Sequence, residues 1–105
     1  MHIQIVNFRL RGIDERQYAK VCDELAPAFG AVPGLLAKVW LANPEAGMFG
    51  GVYTFEDRAA MDRFRQSDLF KAVEAHPNLA DITVADFEVM ESPTRITRGL
   101  ATALA

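Results

Sequence analysis

Six polar or amphipathic side chains could do chemistry in a chain in which half of the residues are hydrophobic. They are Asn7, Lys38, Trp40, Tyr53, His76 and Asp86. Trp40 and Tyr53 can each donate a hydrogen bond, from an indole N–H and from a phenolic hydroxyl. His76 has the ordinary pKa best suited to a general base at neutral pH. If these groups meet, they can bind a polar atom and move a proton.

Each of these side chains also has a structural interpretation. Trp40 and Tyr53 can pack across a hairpin, because large aromatic side chains dominate small cores. His76 stands before a Pro-Asn pair, which is typical of an exposed position at the end of a helix. Lys38 can extend its charge past its apolar neighbours into water. The sequence leaves both interpretations open.

Two adjacent glycines, Gly50 and Gly51, interrupt a stretch that otherwise reads as a strand. Glycine in a strand costs roughly 0.5–1 kcal/mol relative to alanine, so something should occupy the space it leaves. Either a bulky neighbour such as Trp40 lies over the glycines, or they open a cavity between sheet and helices.

Several classes of function are excluded by what the sequence lacks. It has no phosphate-binding glycine loop, no dinucleotide fingerprint, no metal-ligand spacing and no defensible Ser-His-Asp order. We therefore expect neither a metal nor a cofactor. The net charge of -3 and the pI near 5.3 argue against nucleic acid, which calls for a basic surface.

The single cysteine, Cys22, cannot form an internal disulfide and fits a reducing compartment. It falls on the apolar face of a predicted helix, where we expect it to pack in the core. The sequence shows no basic-then-apolar leader and no apolar run approaching the length of a membrane span. We therefore expect a cytoplasmic protein with no membrane partner.

The elements that must position these residues follow from hydrophobic spacing and from helix-capping residues. Strands are predicted at 2–10, 35–41, 48–55 and 81–91, with a bulge near Ala85 and Asp86. A first helix is predicted at about 15–30, with Pro27 bending or ending its last turn. A second helical region starts at Glu56 or Asp57 and breaks around residue 67.

The order strand, helix, strand, strand, helix, strand is the ferredoxin-like βαββαβ arrangement of the α+β class. It predicts a four-stranded antiparallel sheet with the helices on one face. We expect residues 1–91 to form this domain and 92–105 to form a C-terminal arm without a core of its own. Three of the four strands are apolar on both faces, so we expect a two-fold homodimer that covers the second sheet face.

Two stretches resemble a known family. "PGLLAKVWLANPEAGMFGGVYTFEDRAAMDRF", at 33–64, is similar to the YdhR-like monooxygenases in its "PG" turn, "KVW", "GG" and the acidic helix start. "DFEVMESPTRITRGL", at 86–100, looks like the same family's last strand and C-terminal arm, although "SPTRIT" departs from the usual pattern. The resemblance implies a dimeric α+β barrel in which the arm reaches over the partner subunit.

The same resemblance implies a relationship to cofactor-free monooxygenases that oxidise phenolic compounds to quinones with O2. On that hypothesis Tyr53 and Trp40 donate hydrogen bonds, and His76 or Asp86 is the base. The predicted substrate-binding residues are Asn7, Phe8, Gly50, Gly51, Phe55, Met61 and Phe64. The alternative is a non-catalytic homodimer that binds a small aromatic or hydrophobic molecule in the same place.

Overall fold

The computed structural model describes residues 1–100, and its elements follow the predicted order. They are β1 (His2–Leu10), α1 (Glu15–Gly30), β2 (Leu35–Asn43), β3 (Met48–Phe55), α2 (Arg58–Arg65), α3 (Asp68–Glu74), β4 (Leu79–Glu88) and α4 (Glu91–Ile96). The predicted break near residue 67 separates α2 from α3. The short helix α4 was not predicted.

The helices begin where capping residues predict that they begin. The Asp14 carboxylate accepts from the backbone N–H of Gln17 at 2.8 Å, and the Gln17 side chain accepts from the Asp14 N–H at 2.9 Å. Asp57 and Ser67 cap α2 and α3 in the same way, each accepting a backbone N–H with its side chain. These bonds satisfy donors that a helix start otherwise leaves unpaired.

The four strands form one antiparallel sheet in the order β2-β3-β1-β4. The helix α1 packs on β2, α2 on β1 and β3, and α3 on β4. Alternate β1 side chains, His2, Gln4, Val6 and Phe8, are buried beneath them. The predicted ferredoxin-like α+β fold is confirmed, and its core lies between the helices and this face of the sheet.

The predicted bounds of α1 are confirmed, and one other local prediction was wrong. α1 spans Glu15–Gly30, with Pro27 in its last turn. Proline removes one helix hydrogen bond, and the carbonyl it frees, that of Asp23, belongs to an exposed residue that can bind water. The bulge in β4 lies near Asp81, where the register to β1 shifts, and not at Ala85. Asp81 adopts a positive φ of 54°, which aspartate tolerates better than most residues.

The sheet face opposite the helices, here called the far face, is largely apolar. Its residues include Ile3, Ile5, Val39, Val52, Ala85 and Phe87, on four neighbouring strands. Val39 is 49% exposed and Phe87 is 55% exposed. In the described part of the chain, nothing covers these two side chains.

The C-terminal residues beyond β4 form α4 and a turn. Met90 and Ile96 are exposed, whereas Leu100 is buried. Residues 101–105 of the predicted arm lie outside the described residues. Within residues 1–100, no helix is both long enough and apolar enough to span a membrane.

Candidate functional site

A cavity of about 360 Å³ lies between α1, α3 and the helix-facing side of the sheet. This volume falls in the range typical of small-molecule sites, about 300–1,000 Å³. Its wall is mostly apolar and includes the predicted site residues Phe8, Trp40, Gly50, Tyr53 and His76. A more open groove of about 380 Å³ adjoins it beyond Trp40. The structure therefore brings five predicted residues to one partly open cavity.

The other predicted site residues do not line this cavity. Phe55, Met61 and Phe64 are no more than 2% exposed and pack in the core. They were predicted as walls because they are apolar and close in sequence, and the structure places them in the core cluster but not on the wall of this cavity. Asn7 and Asp86 also lie elsewhere: strand alternation directs Asn7 to the far face.

Lys38 was a candidate in the sequence but was expected to extend into water, and the structure places it on the cavity wall. Its Nζ lies 3.4 Å from the ring centroid of Phe29, 3.4 Å from that of Trp40 and 4.7 Å from that of Tyr53. The side chain is half-buried on the cavity wall and does not extend past its neighbours into water. The strand pattern places Lys38 on the same side of β2 as Trp40, and in the structure Trp40 pairs with Gly51.

Gly51 makes room for Lys38. A Cβ atom at position 51 would lie 3.0 Å from Lys38 Cε and 3.3 Å from Tyr53 Cε1. Of the two explanations proposed for the glycines, the bulky-neighbour explanation holds here, with Lys38 in the place expected for Trp40. The missing side chain lets the lysine stem lie flat across β3.

Gly50 has a different role. A Cβ atom there would overlap the carbonyl oxygen of Val6 and would lie 3.0 Å from Asn7 Oδ1. The backbones of β1 and β3 therefore approach too closely at this point for any other residue. Because Gly50 also lines the cavity, this close approach shapes part of its wall.

Burial sets the protonation of the groups around Lys38. Desolvation lowers the pKa of Lys38 to about 7, and the neighbouring Cys22 opposes this shift. Burial raises the pKa of Tyr53, of Tyr18 together with a hydrogen bond to the Cys22 thiol, and of Cys22 itself. At neutral pH the two phenols and the thiol stay protonated, while the amine of Lys38 can exist in both forms.

His76 reaches the cavity but is poorly prepared to act as a base. Its Nδ1 accepts the backbone N–H of Asn78 at 3.1 Å. A neutral imidazole that accepts at Nδ1 carries its proton on Nε2. His76 therefore offers a donor and has no free lone pair while this bond is intact.

Asp86 belongs to a separate group of polar residues, here called the Asp86 cluster: His2, Gln4, Arg65 and Asp86. Asp86 contacts His2 Nε2 at 2.6 Å and Arg65 Nη2 at 3.1 Å, and Arg65 Nε donates to Gln4 Oε1 at 2.6 Å. Hydrogen bonds from His2 and then Arg65 lower the pKa of Asp86. A carboxylate held in this way is a weaker base than a free one.

One cross-strand row explains why the two groups are separate. Lys38 pairs with Tyr53, Tyr53 with Gln4, and Gln4 with Asp86. Neighbouring strands lie about 4.8 Å apart, so Lys38 and Asp86 are separated by roughly 14 Å across the sheet. Among residues 1–100, no group of three histidine, cysteine, aspartate or glutamate side chains is placed to hold a metal ion.

Comparison with protein families tests the resemblance to the YdhR-like monooxygenases. The family model described as "Putative mono-oxygenase ydhR" matches residues 3–100. The chain belongs to this family. Comparison with curated protein sequences gives no match.

Solved structures of the same fold include several oxygenases. An antibiotic biosynthesis monooxygenase from Deinococcus radiodurans, described as putative, aligns with a TM-score of 0.72 and 18% identity over 88% of this chain and 95% of that chain. SnoaB, a cofactor-independent oxygenase from Streptomyces nogalater, aligns with a TM-score of 0.65 and 18% identity over 87% and 95%. The heme-degrader MhuD from Mycobacterium tuberculosis, solved with two hemes bound, aligns with a TM-score of 0.69 and 18% identity over 86% and 96%. At this identity the likeness shows the fold.

Proposed function

We propose that this chain is a cofactor-independent monooxygenase that oxidises a small phenolic or polycyclic aromatic molecule to a quinone with O2. The observation that carries the proposal is the cavity of about 360 Å³ with aromatic side chains and two hydrogen-bond donors, Trp40 and Tyr53, on its wall. Membership of a mono-oxygenase family and the printed description of SnoaB as a cofactor-independent oxygenase support it.

The reaction needs little from the protein. A deprotonated phenol or anthrone can transfer an electron to O2, and the two then combine to a peroxide on the ring carbon. Loss of water from this peroxide gives the quinone, so one oxygen atom enters the product and the other leaves as water with two substrate hydrogens. The cavity would exclude water, and Tyr53 and Trp40 would hold the developing oxyanion.

A haem of the kind bound by MhuD does not fit the residues of this cavity. His76 is the histidine on its wall, and its Nδ1 accepts a hydrogen bond from the Asn78 N–H. A histidine that binds iron through Nε2 normally donates from Nδ1, which leaves Nε2 free of a proton. The opposite arrangement here protonates Nε2. The proposed reaction therefore includes no haem-dependent step.

Oxygen consumption tests the proposal. Purified protein, freed of flavin and treated with chelator, should consume one O2 for each quinone formed from an anthrone or dihydroxyaromatic substrate. Tyr53→Phe and Trp40→Phe should each lower turnover about 10- to 100-fold, because each removes a donor to the oxyanion. Lys71→Met, at an exposed position of α3, is the matched control. Unchanged turnover in both cavity variants would contradict these roles.

A non-catalytic protein that binds a small hydrophobic ligand is the second candidate. It requires the same cavity and no turnover. An aromatic ligand would raise the melting temperature of such a protein, because a ligand that binds only the folded state stabilises that state. A melting-temperature shift without oxygen consumption across a panel of phenols and anthrones would favour this candidate over the monooxygenase.

We also propose a cytoplasmic two-fold homodimer in which far faces meet, with residues 1–91 forming the domain and the arm at 92–105 lying on the partner. The exposed Val39 and Phe87 support the sheet contact, and the exposed Met90 and Ile96 support docking of the arm. Val39→Glu should give a monomer by sedimentation equilibrium, and Lys71→Glu should not. A wild-type protein that stays monomeric at high concentration would overturn the proposal.

A further inference from the structure

We infer that Lys38 accepts the proton of an aromatic hydroxyl group and then holds the resulting anion, so that the cavity selects ionisable phenols over their ethers. This inference rests on the proposed function, because it names the base and the substrate class of the same site. It can be tested without oxygen chemistry, because ionisation of a bound phenol is visible by itself.

The position of Lys38 carries the argument. Its Nζ lies among the rings of Phe29, Trp40 and Tyr53 on the wall of a cavity large enough for a bicyclic aromatic molecule. The ion pairs found among residues 1–100 join His2 and Arg65 to Asp86, and Arg58 to Asp62. Lys38 takes part in none of them. A lysine held on a cavity wall without a counter-ion offers that position to an anionic ligand.

Both forms of the amine are accessible at this position. Desolvation lowers the pKa of Lys38 to about 7, so near neutral pH a large fraction is neutral amine with a free lone pair. The ring faces act in the opposite direction, because aromatic rings attract an ammonium ion. The amine can therefore take a proton and remain favourably placed as a cation.

The other ionisable groups on the cavity wall are less suited to this role. The phenols of Tyr18 and Tyr53 and the thiol of Cys22 have raised pKa values and stay protonated. The Nδ1 lone pair of His76 is occupied. Glu24, from an exposed part of α1, also lines the cavity, and its negative charge would repel an anion.

The proton transfer balances without any other reactant. The phenol O–H bond breaks, an N–H bond forms at Lys38 Nζ, and the products are a phenolate and an ammonium ion. Nothing is oxidised or reduced in this step. Because an aromatic ether has no proton to transfer and forms no anion, the same site should bind ethers more weakly. Tyr53 can donate its hydroxyl hydrogen to the phenolate oxygen.

An anaerobic fluorescence titration tests the inference. The probe is umbelliferone, a bicyclic phenol whose anion has its own excitation band, and its methyl ether is the matched control ligand. A cation in contact with the phenolate should lower the apparent pKa of the bound probe by about one unit or more, which is about tenfold in favour of the anion. Lys38→Met should lose this shift, whereas Lys38→Arg, which stays cationic, should keep it.

The controls separate the inference from the proposed function. Lys20→Met, at an exposed position of α1, should bind and ionise the probe as the wild type does. An equal pKa shift in wild type and Lys38→Met, or no binding of the probe to the wild type up to its solubility, overturns the inference. If Lys38 ionises the probe and no aromatic compound consumes O2, the inference stands and the monooxygenase proposal fails.

Discussion

The cross-strand row Lys38–Tyr53–Gln4–Asp86 has a cation near each end, and the two cations have different surroundings. At the β4 end, Arg65 donates to Asp86 at 3.1 Å and to Gln4 at 2.6 Å. At the β2 end, Lys38 meets three aromatic rings and no carboxylate among residues 1–100. Both side chains are half-buried, Arg65 at the end of α2 and Lys38 on β2, so exposure alone does not distinguish them. The difference is that Arg65 has a carboxylate partner and Lys38 has none among residues 1–100.

This difference separates a structural role from a functional one. A buried charge that is hydrogen-bonded on every side holds its neighbours in place, and removing one member leaves the others without partners. A buried charge without a partner costs free energy in the empty protein. Such a cost is typical of residues that bind or react. The Asp86 cluster is therefore expected to stabilise the fold, and Lys38 to serve the cavity.

Arg65→Met should lower the stability more than Lys38→Met or Gly51→Ala at the β2 end of the row. Gln4 is 0% exposed, and its Nε2 already has no partner among the described residues. Removing Arg65 would leave Gln4 Oε1 unpaired as well, which should lower the free energy of unfolding by about 1–3 kcal/mol. Urea unfolding at pH 7 measures this change.

Two further variants make this result specific. Arg63→Met, on an exposed position of the same helix, should change the stability by less than about 0.5 kcal/mol. Gln4→Leu combined with Arg65→Met should be more stable than Arg65→Met alone, because it removes the buried amide that lacks partners. A double variant no more stable than the single one would contradict this account.

The fold was predictable from the sequence because local signals agreed. The capping box at Asp14 and Gln17 and the caps at Asp57 and Ser67 fix helix starts by hydrogen bonds that the sequence itself specifies. The bulge in β4 was misplaced because it depends on the register to β1, which a single strand's pattern does not reveal.

The candidate site was predictable only in part. Trp40 and Tyr53 followed from residue type, and Gly50 from its place in the glycine pair, whereas the sequence left open whether the glycines make room for a side chain or for a cavity. The role of Lys38 did not follow from the sequence, because a lysine usually extends into water, and only the pairing register shows that it lies across Gly51. Phe55, Met61 and Phe64 were assigned to the cavity because sequence alone does not separate a core face from a ligand-facing wall.

The pH dependence of stability should differ between the two ends of the row. The folded pKa of Lys38, about 7, lies below its ordinary value of 10.5. Between these values the unfolded chain binds more protons than the folded chain, so the free energy of unfolding rises with pH. The cost of burying the ammonium ion is fully present below about pH 7 and is relieved as the pH rises.

From pH 7 to about 9, the wild type should gain about 1–2 kcal/mol relative to Lys38→Met. The limit for two pH units is about 2.7 kcal/mol. The expected gain is smaller because a lysine with a pKa of about 7 is already partly deprotonated at pH 7 and its side chain is only half-buried. Urea unfolding of both proteins at several pH values measures the difference. Parallel curves for the two proteins would show that the lysine has an ordinary pKa in the folded state.

Lys38→Met should raise the free energy of unfolding, whereas Arg65→Met should lower it. Methionine keeps most of the apolar stem against Phe29 and Trp40 and removes a partly desolvated amine, so stability at pH 7 should rise by about 1 kcal/mol. Lys71→Met, at an exposed site, should leave the stability nearly unchanged. A loss of stability as large as that of Arg65→Met would abolish the distinction between the two ends of the row.

Gly51→Ala should change the free energy of unfolding least, and it tests whether the stem of Lys38 can shift at the β2 end of the row. The new Cβ would lie 3.0 Å from Lys38 Cε, and because the lysine stem is flexible it can shift by a few tenths of an ångström. Loss of that fit should offset the usual gain of replacing a strand glycine, so the free energy of unfolding should change by less than about 1 kcal/mol. Gly50→Ala, where the Cβ meets the Val6 backbone, should be far more destabilising. If the two variants were equally destabilising, Lys38 would be held as rigidly as a backbone atom, and the lysine would then belong with the fixed charges of the Asp86 cluster.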